Sequence, residues 1–426
     1  MKKFIFILFC LPLFAKAQQT PAPTQSESIL ISGVTAHIGN GEVIENAAIG
    51  FDQGRITYVG QAADAPNDFK KRIDGNDQHV YPGFIGMNTT LGLVEIDAVR
   101  ATNDKDELGA LLPHIRAAIA YNAESQVVES VRPNGVLMAQ VTPRGGRISG
   151  SSSVMQLDAW NWEDALLKAD DGIHLRWPNP FQRGRWWLGE DPNLKRNKEY
   201  NTSVEELENY FAKARVYLKN TQPKHLPFEA MAGVFDGSKR LYIHANSSEQ
   251  IEESITKLME WGVQRLAIVG GHEAPMQLDL LKEHNIPVII PRPHRLPNNE
   301  DESLKSTFTL GTQLIEAGLT VAIEMSGRME TMNTRNLPFY AGSFAAYGVP
   351  YEKAVALLTA NPAKILGIDQ EVGTLEVGKK ATLFVSKGDA LDMRTNLLSH
   401  AFIDGRAISL ETHQTQLWQR YSEKVN

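Results

Sequence analysis

The stretch RLYIHANSSEQIEESITKLMEWGVQRLAIV, residues 240–269, contains the pattern that decides the fold of this 426-residue chain. Two short apolar runs, 240–245 and 265–269, indicate buried β-strands because they are rich in Leu, Ile and Val and end at polar or Gly-rich positions. Between them, over 248–261, apolar residues recur at the spacing of an amphipathic helix. The stretch therefore predicts a strand–helix–strand unit.

The same alternation continues in both directions along the chain. Further apolar runs predict strands at 79–85, 135–141, 153–157, 172–177, 286–291 and 319–325. Helical spacing of apolar residues predicts helices at 275–284 and 304–317. Eight strands separated by helices are typical of a (β/α)8 TIM-like barrel. We place this barrel at 80–366, with an insertion at about 178–225. The Trp- and Arg-rich segment 176–187 is expected either to cover the barrel mouth or form an interface, or to fold against the barrel's flank.

Both ends of the chain show a different pattern. Residues 29–79 and 367–412 alternate apolar and polar side chains in short runs separated by Gly-containing turns, which is typical of antiparallel strands. We therefore predict an α/β fold, in which a TIM-like barrel is joined to a small composite β-sandwich formed by the N- and C-terminal segments. A linker at 18–28 precedes this domain, and a C-terminal tail follows it at 413–426.

The first residues have the features of an export signal. Two lysines precede an apolar run at 4–14 that is too short to span a bilayer, and Ala15-Lys16-Ala17 supplies a cleavage pattern. We predict a signal peptide over 1–17, a periplasmic or secreted location, and no membrane span. Because Cys10 is the only cysteine, the mature chain is expected to lack disulfides, thiolate metal sites and cysteine nucleophiles. The formal charge of −7 gives no attraction to phosphate backbones, so no nucleic-acid partner is expected.

Several motifs carry a resemblance to a known family. They are YPGFIG at 81–86, TPRGGRISGSS at 142–152, LTANPAKILGI at 358–368, and VGTLEVGKKATLFV at 372–385 followed by FIDGR at 402–406. Together they resemble the amidohydrolase superfamily, specifically its exported, imidazolonepropionase-like members. The resemblance implies hydrolysis of C–N bonds in amides or cyclic amides by a metal-activated water. It also implies metal ligands at the C-terminal ends of the barrel strands.

The first and last barrel strands depart from the family pattern. The family's first strand ends in two histidines separated by one residue, and Asn88 and Thr90 stand at those positions here. On the eighth strand the family has an Asp that binds metal and serves as general base, and Ser326 replaces it. Glu324 lies two residues earlier on the same face but deeper in the barrel. A hydroxyl has no useful basicity at neutral pH.

The middle strands keep one family ligand. At the end of the fourth strand, where the family has a bridging carboxylate or carbamylated Lys, our favoured register puts Pro178, with His174 and Arg176 as alternatives. On the fifth strand His244 matches a ligand position, and Asn246 stands where a second His often follows. A zinc site needs three or four protein ligands at fixed geometry, so one matching His leaves such a site incomplete.

These positions define the predicted site and its cofactor. We assign no catalytic residue, although Ser326 and His244 stand at positions that the family uses for catalysis or metal binding. No metal or other cofactor is expected. Strand alternation and the family match predict one pocket lined by Asn88, Thr90, Tyr242, His244, Asn246, Glu324 and Ser326. The alternative is a relocated zinc site drawn from His174, His244, His272 and His294.

Two functions follow from these alternatives. The first is a metal-free, catalytically impaired member of the superfamily that acts as a binding or partner subunit, taking a small-molecule ligand. It would form a homo-oligomer or associate with an active amidohydrolase paralogue. The second is an active metal-dependent hydrolase of the amidohydrolase or peptidase-like type. The loop Arg144-Gly145-Gly146-Arg147 either binds an anion through its amides and guanidinium groups or forms only a rim, and we favour the rim.

Overall fold

The computed structural model describes residues 20–191, 193–297, 302–327 and 329–424. The predicted signal peptide over 1–17, with Cys10, lies outside the described residues. Within the part of the chain that the structure describes, no helix combines the length and apolar character needed to cross a membrane.

The described residues form eighteen β-strands. In chain order these are β1 (Ile29–His37), β2 (Val43–Asp52), β3 (Arg55–Gln61), β4 (Lys71–Asp74), β5 (His79–Pro82), β6 (Phe84–Thr89), β7 (Val136–Val141), β8 (Ile148–Gln156), β9 (Leu166–Arg176), β10 (Phe181–Arg183), β11 (Leu194–Arg196), β12 (Arg240–Ala245), β13 (Leu266–Gly270), β14 (Val288–Ile290), β15 (Val321–Ile323), β16 (Leu383–Ser386), β17 (Leu398–Ile403) and β18 (Arg406–Ala407).

The α-helices of the described residues occupy mainly the second half of the chain. They are α1 (Gln126–Val131), α2 (Trp162–Ala165), α3 (Tyr200–Tyr217), α4 (Leu226–Ala230), α5 (Ala232–Asp236), α6 (Ser248–Glu260), α7 (Leu278–Glu283), α8 (Ser306–Glu316), α9 (Glu330–Asn333), α10 (Leu337–Ala346), α11 (Tyr351–Ala356), α12 (Ala360–Leu366) and α13 (His413–Ser422). A capping box at Ser247 and Gln250 begins α6, because each side chain satisfies a backbone N–H of the first turn.

The two ends of the chain meet in one sheet. Its strand order is β18-β17-β16-β5-β1-β2-β3, with β4 beside β1, and Val80 pairs antiparallel with Val385. Apolar side chains from both ends, among them Ile31, Phe51 and Phe402, share one buried cluster. The prediction that the N- and C-terminal segments build a strand-rich domain beside the barrel is therefore confirmed.

The middle of the chain forms a nearly closed barrel. Its eight strands follow the order β6-β7-β8-β9-β12-β13-β14-β15, and a bridge between Met87 and Glu324 joins the last strand to the first. The TIM-like barrel is thus confirmed. The run predicted at 79–85 is divided, since β5 belongs to the terminal sheet and β6 to the barrel.

One barrel strand runs against the others. β8 is antiparallel to both β7 and β9, whereas the remaining neighbours in the barrel are parallel. A parallel connection needs a crossover of a dozen or more residues, but residues 142–147 between β7 and β8 are too few. They form a hairpin loop instead, and this loop lies at the end of the barrel where β6 and β7 finish.

The insertion between β9 and β12 has two parts. The hairpin β10–β11 comes first, and α3, α4 and α5 follow it. Trp177 is buried at the start of the insertion, while Trp186 and Trp187 are 71% and 65% exposed at the hairpin tip. The aromatic residues thus do different things: one packs in the core, and two face solvent.

Candidate functional site

Two adjoining cavities open at the C-terminal ends of the parallel barrel strands. The first has a volume of about 590 Å³ and the second about 1030 Å³. Arg176, His244 and Ser326 line both, so these three residues mark where the cavities join. A ligand site at this end of a barrel is the expected place, because strand ends and loops converge there.

The predicted pocket residues divide into two layers. Thr90, His244 and Ser326 line the first cavity, and Asn246 and Glu324 line the second with His244 and Ser326. Asn88 and Tyr242 are fully buried and lie below the cavities. Asn88 does not line the pocket as predicted, and the conformation of its backbone explains why. Its φ of 50° is left-handed and interrupts the regular alternation of β6 on which the expectation relied.

Asn88 is covered by an arginine from the hairpin loop. Arg144 donates from Nη1 to Asn88 Oδ1 at 2.9 Å and from Nη2 to the Asn88 carbonyl oxygen at 2.6 Å. Nη1 also donates to the Thr142 carbonyl oxygen at 3.2 Å. The left-handed turn at Asn88 makes its carbonyl oxygen available to this guanidinium. Arg144 also lines the first cavity, so the loop lies at the edge of the site, and its choice between a rim and an anion-binding loop stays a prediction.

A carboxylate lies on the other side of Asn88. Asn88 Nδ2 donates to Glu324 Oε2 at 2.6 Å, and Ser326 Oγ donates to the same oxygen at 2.8 Å. Burial raises the pKa of Glu324, although both of these donors and the nearby Arg144 oppose the shift. The residue at the family's general-base position thus acts here as a hydrogen-bond donor to a buried carboxyl group.

The two histidines of the middle strands contact each other. His174 Nδ1 and His244 Nε2 are 3.0 Å apart, and the other ring nitrogen of His174 is 3.1 Å from Ser152 Oγ. Burial lowers the pKa of His174 well below its usual value. Burial, together with the charges of Arg144 and Arg176, lowers the pKa of His244 to about 3. Both rings are therefore neutral at neutral pH.

A buried polar cluster supports the histidine pair from inside the barrel. Asp171 accepts hydrogen bonds from Ser152 Oγ at 2.8 Å, Tyr242 OH at 2.7 Å and Gln140 Nε2 at 3.0 Å. The Tyr242 ring also stacks on His174, with ring centroids 4.6 Å apart. Tyr242 therefore positions the site from below instead of lining it. Sequence reasoning missed Asp171, because the left-handed Asp170 interrupts the alternation of β9.

The remaining histidines are separate from this pair. His272 lies on the wall of the second cavity. His294 is exposed, and its Nε2 is 3.1 Å from Ser343 Oγ while its ring packs edge-on against Phe308 and Tyr340. The structure therefore brings His174 and His244 together but does not gather the four histidines of the alternative zinc site.

The donor set at the mouth does not fit a divalent metal. Both polar side-chain atoms of Asn88 are engaged, one by a cation, and Thr90 Oγ1 bonds to Thr331 Oγ1. A metal ion beside Asn88 Oδ1 would also meet the positive charge of Arg144. Across the described ranges, no three His, Cys, Asp or Glu side chains meet in an arrangement that could hold a metal.

Arg144 and Arg176 are two of the charged residues that line the first cavity, with Glu95, Asp97 and Lys105. Arg144 is half-buried, and desolvation lowers its pKa to about 10, which still leaves it protonated at neutral pH. Arg176, considered above only as an alternative for the fourth strand, is exposed at the junction of the cavities. Among the residues that the structure describes, no carboxylate oxygen comes within 4.0 Å of either guanidinium. The only sequence signal for Arg144 was the RGGR loop.

Comparisons with known proteins agree with this architecture. A model of the amidohydrolase family matches residues 129–408, well over half of the chain. A protein of Thermoanaerobacter pseudethanolicus named 5-methylthioadenosine/S-adenosylhomocysteine deaminase is 25% identical over 374 residues, which cover 80% of this chain and 81% of that protein. The imidazolonepropionase of Syntrophobacter fumaroxidans is 31% identical over 87 residues, or 20% of each chain.

A solved structure shows the same fold. An amidohydrolase from Thermotoga maritima superposes with a TM-score of 0.77 at 22% identity, over 89% of this chain and 99% of that one. The family match confirms the predicted resemblance to the amidohydrolase superfamily, while its imidazolonepropionase-like and exported character stays a prediction. With the barrel, the terminal sheet and a family match over most of its length, the chain belongs to the amidohydrolase family.

Proposed function

We propose that the barrel mouth is a metal-independent binding site for a small acid with an apolar substituent, in a protein whose hydrolytic activity is impaired. The observation that carries this proposal is the state of Arg144. A guanidinium has five N–H donors, and three hydrogen bonds to neutral oxygens use three of them. The remaining two, on Nε and Nη2, have no acceptor among the described residues, and a carboxylate is the group that matches such a pair.

The surroundings of Arg144 support an acid as the ligand. Arg176 adds a second positive charge at the same cavity, while the Glu324 carboxyl group accepts hydrogen bonds from Asn88 and Ser326. The first cavity is also lined by apolar side chains that would take the substituent, together with the charged residues Glu95, Asp97 and Lys105. Its walls include Val94, Ile96, Met325, Met329 and Met332. A charged anchor facing an apolar pocket is a common design for binding amphipathic small molecules.

The metal-independent part of the proposal has a direct test. Elemental analysis of the purified mature protein should find no stoichiometric transition metal, because the donors at the mouth suit a guanidinium and not a divalent cation. Adding zinc should not produce release of leucine from N-acetyl-L-leucine. About one zinc per chain, lost in a His244→Ala variant together with such an activity, would overturn this part.

The alternative function is a metal-dependent hydrolase acting on C–N bonds. Membership of the amidohydrolase family favours it, as does the similarity to a protein named as a deaminase. The same two measurements separate the functions, since zinc-bound water reaches a pKa near 7 only in a site that holds the ion firmly. In the His174 and His244 pair, only His244 Nδ1 is outside the hydrogen bonds to Ser152 and between the two rings, and one nitrogen is fewer than such a site needs.

The binding part is tested by titrating the protein with N-acetyl-L-leucine in a calorimeter. We expect saturable one-to-one binding that a neutral analogue, N-acetyl-L-leucinamide, does not reproduce. Equal binding of the acid and the amide would exclude a carboxylate as the anchored group. The predicted export, and association with a second copy or with an active paralogue, remain predictions that mature N-terminal sequencing and size-exclusion chromatography would check.

A further inference from the structure

A continuous chain of hydrogen bonds leads from the barrel interior to the cavities. It runs from Asp171 through Ser152 and His174 to His244, over distances of 2.8, 3.1 and 3.0 Å. Every member except His244 is buried. His244 is the end of the chain, and it lines both cavities.

The direction of each hydrogen bond follows from the start of the chain. Burial raises the pKa of Asp171, but hydrogen bonds from Tyr242, Ser152 and Gln140 oppose this shift. Because all three groups donate to the Asp171 oxygens, the carboxylate acts as the acceptor, and the single hydroxyl proton of Ser152 points at Asp171 Oδ1. The Ser152 oxygen is left with lone pairs, and Gln140 Nε2 occupies one of them at 3.1 Å. The other accepts from His174, which must therefore carry its proton on Nε2.

The tautomer of His244 follows from that of His174. A neutral imidazole has one N–H, so His174 Nδ1 is a lone pair, and the hydrogen bond at 3.0 Å requires the proton of His244 to be on Nε2. His244 Nδ1 is then also a lone pair. Among the described residues it has no hydrogen-bond partner. A ring that stays neutral at this position is a weak base but a good acceptor.

We propose that Asp171, Ser152 and His174 fix His244 as a hydrogen-bond acceptor, so that the site selects an acid carrying an N–H or O–H donor next to its carboxylate. The inference rests on the proposed function, in which Arg144 anchors the carboxylate, and it adds the second recognition element of the ligand. Ser152 and His174 are positioning residues in this scheme, because they act through His244 without facing the ligand.

The tautomer can be measured without any ligand. In protein labelled with 15N-histidine, long-range 1H–15N correlation spectra distinguish a protonated Nε2 from a protonated Nδ1, and a His244→Gln sample assigns the ring. We expect His244 to be protonated on Nε2 alone. Protonation on Nδ1 would overturn the inference, whatever the protein binds, and it would leave the proposed function intact.

The selectivity is measured with a matched pair of ligands. N-acetyl-L-leucine carries an N–H, and the corresponding ester, (S)-2-acetoxy-4-methylpentanoate, has an oxygen at the same place and an otherwise similar shape. We expect the N–H acid to bind about tenfold more tightly, since the ester leaves the acceptor at His244 without a donor. Equal affinities would overturn the inference, whereas failure of both acids to bind would overturn the proposed function and the ligand selection with it.

A variant pair tests the relay itself. Ser152→Ala removes the hydroxyl that orients His174, while Asp171 keeps its bonds to Tyr242 and Gln140. The control Ser151→Ala removes a neighbouring buried hydroxyl that donates to the Pro113 carbonyl oxygen. We expect the tenfold preference to fall to about twofold in Ser152→Ala and to persist in Ser151→Ala, because the ratio of affinities reports the tautomer and not overall stability. An unchanged preference in Ser152→Ala would contradict the relay.

Discussion

The barrel strand β7 has an arginine near each end, and the two are treated differently. Arg132, just before the strand, lies 2.8 Å from Asp158 Oδ1, with both side chains 5% exposed. Arg406 approaches the other oxygen of Asp158, also at 2.8 Å. Arg144, just after the strand, bonds only to neutral oxygens of Asn88 and Thr142.

The contrast distinguishes Arg132, whose charge is paired within the protein, from Arg144, whose charge is available to the proposed ligand. Desolvation lowers the pKa of both arginines. Removing each guanidinium from water is therefore unfavourable, and other interactions of the guanidinium must offset this free energy. At Arg132 a buried carboxylate provides the compensation within the protein. At Arg144 the compensation is incomplete, and the unused donors are at a cavity. We therefore expect the first end of β7 to serve stability and the second to serve the proposed binding of an acid.

The largest expected effect is at the structural end. Arg132→Met should lower the free energy of unfolding by about 3 kcal/mol, because Asp158 Oδ1 would lose its guanidinium partner in a buried position while Oδ2 keeps Arg406 and the Ala22 N–H. Urea unfolding followed by tryptophan fluorescence measures this change. Acid binding by the folded protein should be unaffected, since the cluster lies at the far end of β7. A loss of binding without a loss of stability would reverse the assignment.

The same substitution at the binding end should have the opposite profile. Arg144→Met should weaken binding of N-acetyl-L-leucine about a hundredfold, because hydrogen bonds to a charged group contribute roughly 1.5–3 kcal/mol. Its free energy of unfolding should fall by less than that of Arg132→Met, by about 1 kcal/mol, because two oxygens of Asn88 lose a donor but no buried ion pair is broken. Calorimetry and urea unfolding of the two methionine variants, measured side by side, test the contrast directly.

Arg144→Lys is the matched control for geometry. Lysine keeps the positive charge but cannot bridge Asn88 and a carboxylate with a planar set of donors. We expect it to restore only part of the affinity, at most about tenfold above the methionine variant. Full recovery would mean that the site needs a charge and not a guanidinium.

The sequence predicted the architecture better than the site. Apolar runs such as 240–245 and the Gly-punctuated ends were sufficient for the barrel and the terminal sheet, because periodicity determines which face is buried. It did not predict that β8 is antiparallel, because the strand was expected at 153–157, which leaves a connection of residues 142–152. In the structure β8 begins at Ile148, and the connection shortens to residues 142–147, which is too short for a parallel crossover.

The site could be predicted only where strand alternation holds. His244 lies in β12, Ser326 follows β15 in the chain, and both line the cavities. Asn88 departs from this geometry because its backbone is left-handed. Arg144 lies on a loop, where spacing carries no information about direction, so neither its bond to Asn88 nor its place at the cavity could be derived.

A further prediction concerns the pH dependence of stability at the binding end. The folded pKa of His244, about 3, lies below the unfolded value near 6.5, so the unfolded chain binds more protons between these values. The contribution of the neutral His244 ring to the free energy of unfolding is thus fully present above about pH 6.5, and it is lost as the pH falls towards 3. The slope is at most about 1.4 kcal/mol per pH unit for one group.

This slope is isolated by a variant. His244→Gln keeps a donor for His174 but does not titrate, so its free energy of unfolding should fall less steeply than that of the wild type between pH 6.5 and about 4.5. Urea unfolding at several pH values gives both curves. If the free energy of unfolding depends on pH equally in the wild type and the variant, His244 titrates normally in the folded state. The inference that His244 is a neutral hydrogen-bond acceptor would then be wrong.

The smallest expected effect sharpens the comparison with the rest of the family. Ser326→Ala removes the hydroxyl at the position of the family's general base, yet Glu324 Oε2 keeps its bond from Asn88 Nδ2 at 2.6 Å. Because Arg144 and His244 provide the recognition, acid binding should change less than about threefold, and stability by about 1 kcal/mol or less. Calorimetry and urea unfolding check both values. A hundredfold loss of binding would mean that Ser326 contacts the ligand itself. Recognition would then depend on the eighth strand as well as on Arg144 and His244.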